Sequence, residues 1–136
     1  MSLELPKALA EAMLTHAREE HPNECCGLLA GRGTRVERLY RGRNLDQSPY
    51  TYQLDPQEQL QFFREMDATG LELVGIYHSH TQSAAYPSRT DVARAFYPDA
   101  VYVIVGLRNG APAESTEIRA FRIRDGQITE EELVEV

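Results

Sequence analysis

Tyr77-His78-Ser79-His80-Thr81-Gln82-Ser83-Ala84-Ala85-Tyr86-Pro87-Ser88-Arg89-Thr90-Asp91 is the stretch on which the reading of this chain turns. It completes a run, Leu73 to His80, that alternates like a strand. Val74, Ile76, His78 and His80 fall on one face, and Leu73, Gly75, Tyr77 and Ser79 on the other. Both faces are largely apolar at the start, so the strand is expected to be central and covered on each side. Two histidines two residues apart on a strand present their imidazoles to the same face, close enough to share one metal ion. Neutral imidazole is the commonest metal ligand, and a His-His-carboxylate set suits Zn²⁺. Asp91 is the candidate third ligand if the loop from Thr81 to Pro87 folds back over the end of the strand. Ser88 and Asp91 have the spacing of a helix N-cap and its third residue, a pair that would make this loop rigid. Three protein ligands leave the fourth zinc position open, which is the catalytic rather than the structural arrangement.

Each feature alone has a plainer reading. Either histidine could be a satisfied interior residue, and Ser88 with Asp91 could simply start a helix. The combination His78-x-His80-x₇-Ser88-x₂-Asp91 is what points to a metal centre. Other chemistries that use an H-x-H pair do not fit. A cupin would need a further acid and histidine after His80, an amidohydrolase barrel needs far more chain, and a nucleobase deaminase needs H-x-E with C-x-x-C.

On the N-terminal side of this stretch, Leu5, Leu9, Ala12, Met13 and Ala17 have the spacing of an amphipathic helix, with Pro6 in its first turn and Pro22 ending it. Cys25 to Ala30 and Thr34 to Tyr40 read as a hairpin about Gly31-Arg32-Gly33, and Tyr50 to Leu54 as a third strand. Asp55-Pro56 opens a second helix, with Glu58 placed for a capping box; it is expected to bury Leu60, Phe63 and Met66 and to stop near Gly70. A third helix is expected from Ser88 to about Phe96. Val101 to Leu107 is another buried strand, and Phe121 to Arg124 with Ile128 to Val136 completes the sheet. The architecture is a mixed sheet with helices packed on it, α+β or α/β.

With 136 residues, 42% of them hydrophobic, the chain is read as one globular domain, with a folded surface of roughly 7,200 Å². Its 14 basic and 21 acidic residues give a net charge of -7, the wrong sign for a nucleic-acid backbone. The two cysteines, Cys25 and Cys26, are adjacent, which suits a disulfide poorly and fits a reducing, cytoplasmic setting. They read as buried small hydrophobes, with a fourth metal ligand as the less economical alternative. No apolar run approaches the length of a membrane span, and nothing at the N-terminus has the form of a signal peptide.

The stretch from His78 to Asp91 resembles the JAMM motif of the MPN+ zinc metalloproteases. The resemblance extends from the first helix to the strand around Val101. It implies a JAMM/MPN fold over residues 1–136, a central mixed β-sheet packed by helices and similar to the cytidine-deaminase-like arrangement. It also supplies a residue that spacing alone does not, a glutamate at the start of the first strand, where this chain has Glu24 in Pro22-Asn23-Glu24-Cys25-Cys26-Gly27. The surroundings of Glu24 and of Ser88 are most similar to the small prokaryotic branch that trims sulfur-carrier proteins of ubiquitin-like fold. Thr81 departs from the family, many of whose members have proline after the second histidine.

What the resemblance implies is hydrolysis of the bond after the C-terminal Gly-Gly of such a carrier, releasing cysteine. Zn²⁺ on His78, His80 and Asp91 would acidify water, with Glu24 moving the proton. Ser88 would either help to stabilise the oxyanion or only hold the cap that fixes Asp91. The tail is expected to lie alongside a sheet edge. Only 45 residues follow Asp91, which leaves little room for the insertions with which deubiquitinase relatives grip polyubiquitin. The rival readings are a non-enzymatic MPN-type binding module, a deubiquitinase-like isopeptidase and a general small-peptide metallopeptidase. A homodimer is a common state for such chains, though no residue here demands one.

Overall fold

The computed structural model describes residues 2–107 and 116–136. The chain runs β1 (Ser2–Leu5), α1 (Lys7–Glu20), β2 (Cys26–Arg32), β3 (Arg35–Gly42), α2 (Pro56–Thr69), β4 (Glu72–His80), α3 (Arg89–Ala93), β5 (Val101–Gly106), β6 (Glu117–Arg124) and β7 (Gln127–Glu135). The strands form a mixed sheet in the order β1-β3-β2-β4-β5-β6-β7. β1 pairs with β7 over four residues and with β3 at Glu4↔Arg35, closing the sheet into a barrel. β4 lies between β2, to which it is antiparallel, and β5, to which it is parallel, and it is buried from Val74 to His80. The histidine strand is therefore the two-sided strand its sequence describes, and it has no free edge. No helix among the described residues is long and apolar enough to cross a membrane.

Two apolar clusters flank the sheet. One joins Met13 and Ala17 of α1 to Leu29, Tyr77, Val103 and Val105, and the other joins Met66 of α2 to Leu28, Ile76 and Tyr102. Ile76 and His78 share a face, so the two histidines continue the α2 side of β4. Val74 does not share it. The register passes from Leu29↔Gly75 to Ala30↔Leu73, so Val74 is the extra residue of a bulge and packs with Tyr77 on the α1 side.

Other differences from the sequence reading have local causes. β1 takes Leu5 out of the first helix, since its pairing with β7 and β3 is made far along the chain. Tyr50 to Leu54 is not a strand. Leu54 makes one isolated bridge with Asn44, while Gln53 N–H donates to Asn44 and the carbonyls of Thr51 and Tyr52 accept from Asn44 and Arg94, leaving no ladder partner. The capping box of α2 is half formed. Asp55 accepts from Gln57 N–H, but Glu58 accepts from Arg43 N–H instead of reaching back. Leu60 is 53% exposed, and α2 instead packs through Phe62, Phe63 and Met66. α3 ends at Ala93, short of Phe96.

Two stability predictions follow from the α1 side of β4. A Cβ on Gly27 would lie 2.3 Å from the Tyr40 carbonyl oxygen and 2.4 Å from Tyr77 Cε1. The first of these is backbone and cannot swing aside. Gly27→Ala is expected to cost about 3 kcal/mol or more in urea unfolding, the upper range for overpacking. Tyr77 also holds His16, whose Nδ1 is 2.7 Å from the Tyr77 hydroxyl and whose ring is 1% exposed. Burial, helped by the charge on Arg41, lowers the His16 pKa from 6.5 to about 4. The unfolded state thus takes up the proton first. The stability contributed by neutral His16 is complete above pH 6.5 and is lost as pH falls toward 4, a span worth about 3 kcal/mol. Unfolding free energies measured between pH 7 and 4 should show this slope, and His16→Gln should remove it.

Candidate metal centre

The centre is assembled from the end of β4 and the start of α3. His78 and His80 lie two residues apart on β4, and the loop after them returns so that α3 begins over the strand end. Ser88 is the N-cap of α3. Its Oγ accepts the Asp91 N–H at 3.0 Å, and its own N–H donates to Asp91 Oδ2 at 2.9 Å, a complete capping box. Ala85 N–H donates to Glu117 Oε1 at 3.0 Å, pinning the loop between strand and helix to β6. Asp91 is thereby held by the helix start at the place where the two imidazoles converge.

Three potential ligand atoms meet there. His78 Nε2 and His80 Nε2 are 3.2 Å apart, and Asp91 Oδ2 is 3.1 Å from the first and 2.9 Å from the second. These separations are slightly under the roughly 3.3 Å between ligands on a tetrahedral ion with arms of 2.0–2.1 Å. All three residues are buried. His80 Nδ1 lies 2.9 Å from the Ala84 carbonyl, which only accepts, so Nδ1 carries the proton and the Nε2 lone pair faces Asp91 Oδ2. A lone pair against a carboxylate oxygen calls for a cation between them. Carbonyl-to-imidazole support of this kind is a common way of orienting a metal-ligating histidine. His78 is oriented differently. Its Nδ1 is buried without a partner, and the Tyr52 ring stacks on it at 4.3 Å.

The electrostatics agree. Burial would raise the Asp91 pKa, but the two imidazoles and the Ser88 N–H outweigh it and hold the carboxyl well below its usual range. Asp91 is an anion at any working pH. Burial lowers His78, keeping it neutral and ready to donate its lone pair. For His80 burial works in the same direction, but the bond to Asp91 prevails and the pKa is raised, as expected of a ring that needs a cation against that oxygen.

Glu24 sits two residues before the start of β2, 3% exposed, its N–H donating to the Ser48 carbonyl and its carbonyl accepting from Asn44 Nδ2. It stands outside the ligand group, yet the charges of His80 and Asp91 act on it. Burial raises its pKa to about 8, and Oε1 is buried with no hydrogen-bond partner. Cys25 and Cys26 are free, buried and outside the ligand group, with burial pushing the Cys25 thiol up to about 12. Among the described residues no fourth protein ligand joins His78, His80 and Asp91. Beyond Tyr52 opens an apolar recess of about 220 Å³, lined by Leu28, Leu54, Ile76, Tyr97 and Tyr102. Sequence reasoning missed Tyr52, Asn44 and the Ala84 carbonyl, all of which act through contacts that no short motif records.

A family model describing prokaryotic homologs of the JAB domain matches residues 6–124. The chain belongs to this JAB/MPN family. It is 48% identical over 125 residues to the CysO-cysteine peptidase of Mycobacterium tuberculosis, covering 90% of this chain and 84% of that one. It is 37% identical over 109 residues to the desampylase of Haloferax volcanii, covering 75% and 78% respectively. A Desulfitobacterium hafniense protein solved in solution superimposes on this JAB-family chain with a TM-score of 0.88 at 40% identity, over 100% of this chain and 93% of the other. The fold expected from the sequence, a mixed sheet with helices in the JAMM/MPN arrangement, is the fold of this family member.

Proposed function

We propose that this JAB-family hydrolase is a zinc metallopeptidase that cleaves the bond after the C-terminal Gly-Gly of a ubiquitin-like sulfur-carrier protein, releasing cysteine, in the cytoplasm. The observation that carries the reading is the convergence of two imidazole nitrogens and a carboxylate oxygen within 3.2 Å of one another. Two nitrogens and one oxygen, with no fourth protein ligand among the described residues, match the donor set of catalytic zinc. His78, His80 and Asp91 would hold the ion, which supplies Lewis acidity toward water and the scissile carbonyl.

The rest of the chemistry belongs to the chain. Glu24 takes the proton from the attacking water and passes it to the leaving amine. Burial favours the protonated carboxyl, the form that holds the proton between the two transfers, and a bound cation would favour the carboxylate that first accepts it. Its unpartnered Oε1 is free for that work. Ser88 Oγ is occupied as an acceptor by Asp91 N–H, which leaves its O–H to donate to the developing oxyanion. Two glycines put no side chains on the acyl side of the reacting bond, which suits a centre whose candidate ligands are all buried. The relationship to the CysO-cysteine peptidase favours cysteine as the leaving group. The desampylase relationship makes an isopeptide-linked carrier the second arm to test.

The test is intact-mass spectrometry of a Gly-Gly carrier extended by cysteine, incubated with the zinc-loaded protein beside a chelated sample and Glu24→Ala. Loss of one cysteine residue's mass, absent from both controls, is the expected result. An unchanged mass with a cleaved isopeptide conjugate would move the assignment to the second arm, and no cleavage of either would overturn it.

A further inference from the structure

Residues 43–55, between β3 and α2, form no ladder, yet they pass beside Glu24 in a defined course. One buried side chain sets that course. Asn44, 8% exposed, donates from Nδ2 to the carbonyls of Glu24 and Thr51 and accepts at Oδ1 from the N–H groups of Asp46 and Gln53, all four bonds at 3.0 Å. Two donors and two acceptor lone pairs are the whole capacity of a carboxamide. An aspartate there would lack the donors and face two carbonyl oxygens. From the same segment the Ser48 carbonyl accepts the Glu24 N–H at 2.8 Å. The peptide groups on both sides of the Glu24 Cα are therefore tied to it.

The Glu24 carboxyl has no such tie at Oε1. Its direction is set chiefly by the backbone that carries it. The segment is also fastened to the elements bearing the metal ligands. Thr81 Oγ1 donates to the Pro49 carbonyl at 3.2 Å, and Arg94, at the end of α3, donates to Asp46 Oδ2 and to the Tyr52 carbonyl at 3.0 Å each. Tyr52 itself stacks on His78.

We propose that Asn44 is a positioning residue for Glu24. Its carboxamide makes residues 44–53 a splint that fixes the Glu24 backbone, and through it the carboxyl, against His78, His80 and Asp91. This rests on the reading of Glu24 as the group that moves the proton.

The experiment is a double-mutant cycle in the zinc-loaded, full-length protein, with amide exchange measured alongside. Asn44→Ala is expected to lower kcat about 10–100-fold with KM within about twofold, the scale of displacing a catalytic group through its support. Zinc per chain stays unchanged and exchange at the Glu24 N–H quickens. In a Glu24→Gln background the same change should cost less than about twofold, because nothing remains to be aimed. An equal loss in both backgrounds would make Asn44 a residue of the fold alone and overturn the proposal while leaving Glu24 its role. Near-normal kcat for Glu24→Gln by itself would overturn both. The exchange measurement needs no turnover, and unchanged protection at Glu24 overturns the proposal whatever the substrate. Should Asn44→Ala fail to fold, Asn44→Ser enters the same cycle.

Discussion

Glu24→Gln is expected to lower turnover by about 10²–10⁴-fold, the usual weight of a positioned general base, with the zinc content unchanged. Glu24 lies outside the ligand group, so the three donors remain intact. Stability should move the other way. Burial raises the Glu24 pKa from 4.5 to about 8, so the folded protein holds the proton more tightly than the unfolded chain does. Folding is therefore penalised progressively as pH rises from 4.5 toward 8, where the buried carboxyl must ionise. Glutamine carries no such penalty. The metal-free variant should have a higher Tm than the parent at pH 8, and the gap should close near pH 4.5. Activity falling while Tm rises would mark Glu24 as a group kept for chemistry at the expense of the fold. Turnover close to normal would remove it from the mechanism.

Asp91→Asn is the second large effect, and it separates two duties of one residue. Oδ2 of Asp91 both faces the two imidazoles and accepts the Ser88 N–H. Asparagine can still accept that N–H and keep α3 capped, but it brings no negative charge to the metal. We expect zinc binding to fail in equilibrium dialysis and turnover to drop by roughly 10³-fold or more, which corresponds to the several kcal/mol a catalytic metal supplies. The metal-free form should also lose stability near neutral pH, because the partners that hold the Asp91 carboxyl ionised would face a neutral amide. Asp91→Ala should lose the metal equally and a further ~1 kcal/mol from the broken cap. Wild-type zinc affinity in Asp91→Asn would show that the carboxylate is not a ligand.

The candidate ligand residues were legible because the chemistry proposed for them demands a fixed order along the chain. Two imidazoles on one strand face need i and i+2, and a helix cap needs three residues from Ser88 to Asp91. The strands carrying them were legible for a similar reason, since a buried strand in a mixed sheet is a continuous apolar run. Glu24 was not visible in this way and entered only through resemblance, being one acid among 21 with no spacing of its own. Tyr50 to Leu54 misled because its tyrosines and threonine have strand propensity, while the hydrogen bonds that decide its course come from Asn44 and Arg94. Leu60 misled because helical spacing gives the apolar stripe but not its rotation against the sheet; Phe62 took that place beside the expected Phe63 and Met66. β1 was hidden by its brevity and by Pro6, and its main partner lies more than a hundred residues away. Each failure involves a tertiary contact that no local spacing records.

The pairing of β1 with β7 also constrains when this protein can finish folding. Leu5 and Lys7 exchange backbone hydrogen bonds with Val136, and Ser2 to Leu5 lie beside Glu132 to Glu135. On a ribosome β1 emerges long before its partner has been made, so the ring cannot close until β7 has cleared the exit tunnel. β2, β3, β4 and β5, with Glu24, His78, His80 and Asp91 among them, are complete by Gly106 and pair with one another. The nascent chain can therefore bring the residues of its candidate metal centre together while the barrel around it is still open, and closure follows once β7 is made.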